Sequence, residues 1–237
     1  YSLAVLKGCL ESGSIAWLGD GATPDKYIMM LDAIKKVDGH GILICKPRAD
    51  EKLLQERFEE AERQNIFSLG MDIDAFNFKT MILKNQQAPS RGLKELSRIR
   101  SFTKLPFIIK GIMTPEDAIL AVDAGANAIV VSNHGGRVLD DMPGTARVLE
   151  SIANAVKSKI PVLVDGGIRS GMDIFKMLAL GANAVLVGRP IAIAAVGGDS
   201  AGVKYLINQY NSDLKNTMNI TGAETLGKIE KSMLLKK

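Results

Sequence analysis

The sequence predicts an α/β protein of the parallel-barrel class, and three observations carry that prediction. Short β-branched runs recur along its 237 residues, each followed by Gly or a polar cluster and then by a helical pattern. The runs are almost continuously apolar, as strands buried on both faces of a parallel sheet must be. One strand–loop–helix–strand unit also occurs twice, at residues 104–133 and 159–189. With 46% hydrophobic and 24% charged residues, the chain has material for a substantial core. A (β/α) barrel of about 250 residues is routinely a single domain, so one domain over 1–237 is expected.

In chain order, "YSLAVLKGCLESG" (1–13) reads as the helix that follows a barrel's first strand. The strand candidates are then "SIAWLGDG" (14–21), "GILICKPR" (41–48), "FSLGMDID" (67–74), "PFIIKGI" (106–112), "AIVVSNHGG" (128–136), "PVLVDGGIR" (161–169) and "AVLVGRP" (184–190). Between the second and third, "DEKLLQERFEEAERQ" (50–64) sets Leu53, Leu54 and Phe58 among charges, the pattern of a helix with one solvated face. These are seven strands, and a TIM (β/α)8 barrel needs eight. The expectation is therefore a barrel with its first strand and N-terminal segment missing from this chain, an N-terminally truncated fragment whose open edges another segment or subunit covers.

The repeat sharpens the reading. Residues 104–133 overlay 159–189 with one insertion, and each copy carries Gly-Ala-Asn-Ala before its second strand. Thr114 precedes Asp117 by three, and Ser170 precedes Asp173 by three, as N-caps do; Pro115 suits a first helical position. Lys110 falls opposite Asp165, Ser132 opposite Gly188, and Asn133 opposite Arg189. All leave the carboxyl ends of strands, where a parallel barrel builds its site.

Several function classes are disfavoured. The net charge of +4 is dispersed among acids and aromatics are only 5%, so no nucleic-acid partner is expected. Cys9 and Cys45 lie far apart with no C-x-x-C and no His at metal-ligand spacing, so neither a disulfide framework nor a metal site is expected. A reducing, cytoplasmic compartment follows. The opening has no charged-then-apolar leader and the apolar stretch 182–196 is broken by Arg189, so no membrane span is expected.

Three groups of residues could do chemistry. "DGGIRSG" (165–171) and "GRP" (188–190) follow the last two strands, where backbone N–H groups and a helix N-terminus hold phosphate. Gly166, Gly167 and Gly188 allow close approach, and Arg169 and Arg189 add charge. Lys110 ends an apolar strand, and a buried lysine needs a partner: an anionic cofactor, or a structural salt bridge to Asp72 or Asp165. His134 and Arg137, three apart after the sixth expected barrel strand, offer a base and a bidentate carboxylate grip. His40, in "DGHGIL", reads as a turn residue.

At "KGI", "SNHGGR", "DGGIRSG" and "GRP" the sequence resembles the FMN-dependent 2-hydroxy acid oxidases and dehydrogenases, the family of glycolate oxidase and lactate oxidase, and most of all its bacterial 2-hydroxy acid oxidising proteins. The likeness is strongest over 106–190, and "NSDLKNTMNITGAE" near the C-terminus looks like the family's closing helices. The resemblance implies FMN with its phosphate on Gly166, Gly167, Arg169, Gly188 and Arg189, the strand-end Asp165 beside them, and Lys110 and Ser132 against the ring. It further implies His134 as the base, Asp72 as the aspartate holding that histidine, Arg137 as the carboxylate clamp, a small 2-hydroxy acid as substrate and oxygen or another electron acceptor as partner. Relatives form tetramers, which implies a homo-oligomer.

The sequence also departs from the family pattern. Val138 replaces a glutamine, "DIDAFNFKTMI" shows no second carboxylate-binding arginine, Gly70 replaces a flavin-contacting threonine, and "GILICKPR" lacks the Gln-x-Tyr pattern, with Lys46 in its neighbourhood. Two other readings compete: an FMN-dependent isomerase of the isopentenyl-diphosphate type, which has no use for the His-Arg pair, and a non-catalytic flavin- or phosphate-binding barrel fragment. Related nucleotide dehydrogenases need a cysteine after the sixth strand, and none stands there.

Overall fold

Each of the seven apolar runs forms a strand in the computed structural model, which describes residues 1–21, 23–86, 88–156 and 159–235. The strands are β1 (Trp17–Gly19), β2 (Ile42–Cys45), β3 (Ser68–Asp72), β4 (Phe107–Ile112), β5 (Ala128–Val131), β6 (Val162–Val164) and β7 (Ala184–Val185). They pair in chain order, every neighbour parallel. The central strands β2, β3 and β5 are buried along their whole length, which is why they read as unbroken apolar runs. Among the described residues no strand joins β7 to β1, so the sheet stays open at seven strands.

Helices connect the strands: α1 (Ser2–Glu11), α2 (Pro24–Lys35), α3 (Glu51–Arg63), the single turn α4 (Lys79–Ile82), α5 (Leu93–Arg100), α6 (Pro115–Asp123), α7 (Thr145–Val156), α8 (Gly171–Ala179) and α9 (Arg189–Thr221). The caps read from the sequence are present. Thr114 Oγ1 accepts from Asp117 N at 3.1 Å and Ser170 Oγ from Asp173 N at 3.2 Å; Asp50, not singled out as a cap from the sequence, caps α3 by accepting from Lys52 N and Leu53 N at 3.0 and 3.2 Å. The acid of the second copy reaches one residue further back than a capping box requires, since Asp173 accepts from Arg169 N at 3.0 Å. A break in α9 at Gly198 and Asp199, which the sequence reading did not foresee, turns its second half back. The turned half packs on α1 so closely that a Cβ on Gly8 would lie 2.5 Å from Val203 Cβ. Both cysteines are free and buried, and burial pushes the Cys9 thiol up to about 11. No helix among the described residues is long and apolar enough to cross a membrane.

Strand alternation sorts the core into two faces. Leu43, Cys45, Leu69, Met71, Phe107, Ile109, Ile129, Val131, Val162 and Val164 pack outward under the helices. Ile42, Ile44, Ile108, Ala128 and Val130, with Trp17 and Leu163, pack together on the inner face. Continuing that parity by two residues puts Lys46, Asp72, Lys110, Ser132 and Asp165 on the inner face, one layer above the apolar one. The fold thus gathers five polar groups at the carboxyl rim.

The inner face also explains Gly70. A Cβ there would lie 2.5 Å from the Ile108 carbonyl oxygen and 2.7 Å from Ile44 Cδ1. Threonine, the residue usual at this place in the resembling family, does not fit this packing. Gly70→Thr is expected to cost about 1–3 kcal/mol through overpacking, read as a lowered urea midpoint; an unchanged midpoint would show that β3 and β4 can separate to admit the side chain.

Candidate active site at the carboxyl rim

Register sets the first contact. Asp72, the last residue of β3, pairs with Lys110 of β4, so both side chains rise side by side from the inner face. Lys110 Nζ lies 3.2 Å from Asp72 Oδ1 and 3.5 Å from Asp165 Oδ2, and donates to Ser132 Oγ at 3.0 Å. Ser132 Oγ in turn donates to Asp165 Oδ2 at 2.8 Å. Lys46 Nζ donates to the other oxygen of Asp72. The salt-bridge alternative read for Lys110 is thus present with both aspartates at once.

Burial decides what these charges do. Asp72 is 3% exposed and Lys110 9%. Burial opposes the charge on Asp72, yet Lys110 and then Lys46 outweigh it and hold the carboxyl below its ordinary value. Burial likewise opposes the Lys110 ammonium, but Asp72 and Asp165 raise it above the ordinary lysine value. Asp72 and Lys110 are therefore both ionised at neutral pH. Asp72 Oδ1 and Asp165 Oδ1 remain buried without a hydrogen-bond partner among the described residues.

The loop after β5 delivers the histidine. Ser132 Oγ accepts from His134 N at 3.0 Å, and Asn133 Oδ1 accepts from Gly136 N at 3.1 Å, while Asn133 Nδ2 donates to Pro143 O at 3.1 Å. These bonds hold His134, Gly135 and Gly136 at φ of 57°, 69° and 78°, a left-handed run that needs the two glycines. The ring of His134 meets the edge of Phe78 with centroids 4.5 Å apart. Arg137 lies over the same phenyl ring at 5.0 Å and Lys46 at 5.3 Å. Phe78 joins the three; the sequence reading missed it.

The carboxylate against the His134 ring is Asp74: Nδ1 lies 3.1 and 3.2 Å from its two oxygens. Asp72 stands 4.0 Å from Nε2, because its own oxygens are engaged by Lys46 and Lys110. Asp72, Asp74 and His134 have ligand atoms within 4.8 Å of one another, a grouping that sequence spacing did not reveal.

The remaining predicted residues form a second zone along the rim. Gly166 and Gly167 follow Asp165 at φ of 102° and 76°, and the Cα faces of Gly167 and Gly188 meet nothing within 4 Å. Arg169 and Arg189, both exposed, line a cavity of about 580 Å³ together with Pro190, Tyr205 and Tyr210. His40 stays apart in its turn, 6.4 Å from the Phe67 ring.

Comparison with known proteins points the same way. A model of a family described as FMN-dependent dehydrogenase matches residues 31–236. The chain is 48% identical over 139 residues to a peroxisomal (S)-2-hydroxyacid oxidase of Arabidopsis thaliana, covering 59% of this chain and 38% of that protein. It is 37% identical over 214 residues to a 2-hydroxyacid oxidase of Dictyostelium discoideum, covering 86% and 55%. Among solved structures, a lactate oxidase from Pediococcus acidilactici superposes with a TM-score of 0.82 at 29% identity, covering 97% of this chain and 69% of that one. The chain thus spans about two-fifths to two-thirds of the length of such relatives.

Proposed function

The chain belongs to the FMN-dependent dehydrogenase family, and from that premise we propose that it is one flavin-binding domain that oxidises a small 2-hydroxy acid to the 2-keto acid. The observation carrying this reading is a positioned histidine and a buried, ionised lysine that share Ser132 and Asp72 as neighbours at the strand-end rim. A base and a fixed positive charge at one rim suit removal of a proton together with electrons.

The residues present suit the cofactor. Asp165 Oδ1 is a buried acceptor with no partner among the described residues, the Cα faces of Gly167 and Gly188 are open, and Arg169 and Arg189 share one cavity. Gly166, Gly167, Arg169, Gly188 and Arg189 would hold the phosphate, the last at the N-terminus of α9. Lys110, Ser132 and Asp165 would flank the ring. Bound FMN supplies the acceptor for two electrons. His134 takes the substrate proton on Nε2, and Arg137 grips the substrate carboxylate through its guanidinium. Asp72 lies 4.0 Å from Nε2, on the side where the proton would arrive. Oxygen or another electron acceptor would be the second partner.

The test is a visible spectrum of the purified chain with FMN, followed by anaerobic addition of a panel of 2-hydroxy acids. Bleaching of bound flavin by a panel member is expected. Flavin that binds and never bleaches favours the isopentenyl-diphosphate type of isomerase or a non-catalytic barrel. No flavin binding overturns the proposal for this chain.

A further inference from the structure

We propose that Asp74, not Asp72, is the residue that positions His134, fixing its proton on Nδ1 and leaving Nε2 bare for the substrate. The inference rests on the oxidase reading for its catalytic meaning, but its geometry stands alone. Asp72 and Asp74 differ in what surrounds them. Asp72 is bound by two ammonium groups, one on each oxygen. Among the described residues, no lysine or arginine nitrogen lies within 4.0 Å of Asp74, and His134 is its ion-pair partner. Its side chain is only 8% exposed, so little water competes for that partner. An ionised carboxylate can only accept hydrogen bonds, so Nδ1 beside it must donate. In a neutral imidazole that leaves Nε2 without a proton.

The backbone is shaped to admit this carboxylate. The strand β3 ends at Asp72, and the chain turns at once into a short 3-10 helix, Ile73–Asn77, that carries Asp74. On the adjacent strand the register shifts between Lys110 and Ile112, and Gly111 adopts φ 106°. A Cβ on Gly111 would lie 2.7 Å from both Cβ and Cγ of Asp74. Any larger residue would strain the backbone and push the aspartate off the ring. The two acids of "DID" thus divide the work: Asp72 neutralises the lysines and Asp74 orients the base.

The chain has only two histidines, so the tautomer can be read directly. Long-range proton–nitrogen NMR of the ¹⁵N-histidine-labelled full chain, with His40→Gln for assignment, is recorded at about pH 9, where an ordinary imidazole is neutral. His134 is expected as the Nδ1–H form. Asp74→Ala should shift it toward Nε2–H, and Gly111→Ala should do the same with the carboxylate still present. Asp72→Asn should leave the tautomer as it is. Circular dichroism checks that each variant is folded, and Asp74→Asn serves where Asp74→Ala is not. In the flavin-loaded protein, Asp74→Ala should slow anaerobic flavin reduction about 10²-fold, within the range of acid–base contributions, with a smaller change in apparent substrate affinity. A wild-type His134 in the Nε2–H form, an unchanged tautomer in folded Asp74 variants, or a switch caused by Asp72→Asn overturns the proposal. If no 2-hydroxy acid reduces the wild-type flavin, the oxidase reading fails, while the tautomer result still decides the role of Asp74.

Discussion

His134→Ala is expected to lower the rate of flavin reduction by the best 2-hydroxy acid about 10³-fold, inside the usual range for loss of a general base, while FMN affinity stays within about twofold. The separation follows from position. His134 sits on the loop 132–136, held through its backbone N–H by Ser132, and its side chain contacts Phe78 and Asp74. Among the described residues, none of the five assigned to the phosphate hydrogen-bonds or ion-pairs with it. Truncation therefore removes the base without disturbing the glycine and arginine loops. Stopped-flow reduction under anaerobic conditions measures the rate, and fluorescence titration measures the cofactor. A rate that survives the truncation would move the proton acceptor elsewhere; joint loss of rate and flavin would make the histidine structural.

The second large effect is on stability. Lys110→Met is expected to destabilise the fold by about 3–5 kcal/mol near neutral pH, the cost of removing one partner from a buried ion pair. The ammonium faces Asp72 and Asp165 together, so its loss leaves Asp72 to Lys46 and takes from Asp165 its ion-pair partner. The pH dependence has a definite sign. Lys110 is raised in the fold, so its contribution is complete below about pH 10.4 and fades as pH rises through the folded value. Asp72 is lowered, so its contribution is complete above about pH 3.9 and fades as pH falls through the folded value. Urea midpoints should therefore show a broad plateau for the wild type. In Lys110→Met the alkaline decline due to this lysine should vanish and the acid decline should shrink, because the charge of Lys110 is the largest single influence that lowers Asp72. Equal midpoints for both proteins at pH 7 would mean that the ion pair contributes nothing net.

Sequence carried the fold well because parallel strands buried on both faces leave long apolar runs. Its weak point was β7, where "AVLVGRP" yields only Ala184 and Val185 as strand. An edge strand has one neighbour to hydrogen-bond, and the pairing stops early. The bend of α9 at Gly198 and Asp199 left only the Gly-Gly pair as its trace. At the rim, Lys110, Asp72, Ser132 and Asp165 were visible as strand-end polar residues, and the structure brings them within hydrogen-bond or ion-pair reach. The neighbour of His134 was not visible: choosing between Asp72 and Asp74 depends on which oxygens two lysines occupy, a fact of side-chain geometry across three strands. Lys46 was named only as standing near the missing Gln-x-Tyr pattern; counting two from Ile44 along the inward parity of β2 would have put it on the rim. Phe78 left no such trace, since it lies beyond the strand and turn where periodicity ends.

The close approach of Gly8 to Val203 has a kinetic consequence. It joins α1 at one border of the sheet to α9 at the other, two segments far apart in the sequence. Closing so long a loop has a high entropic cost and returns contacts only once the intervening units exist, so the clasp belongs to the late side of the folding barrier. Once made, it ties the fate of the first helix to that of the last. Loosening it, as a bulkier residue at position 8 would, should speed unfolding far more than it slows folding.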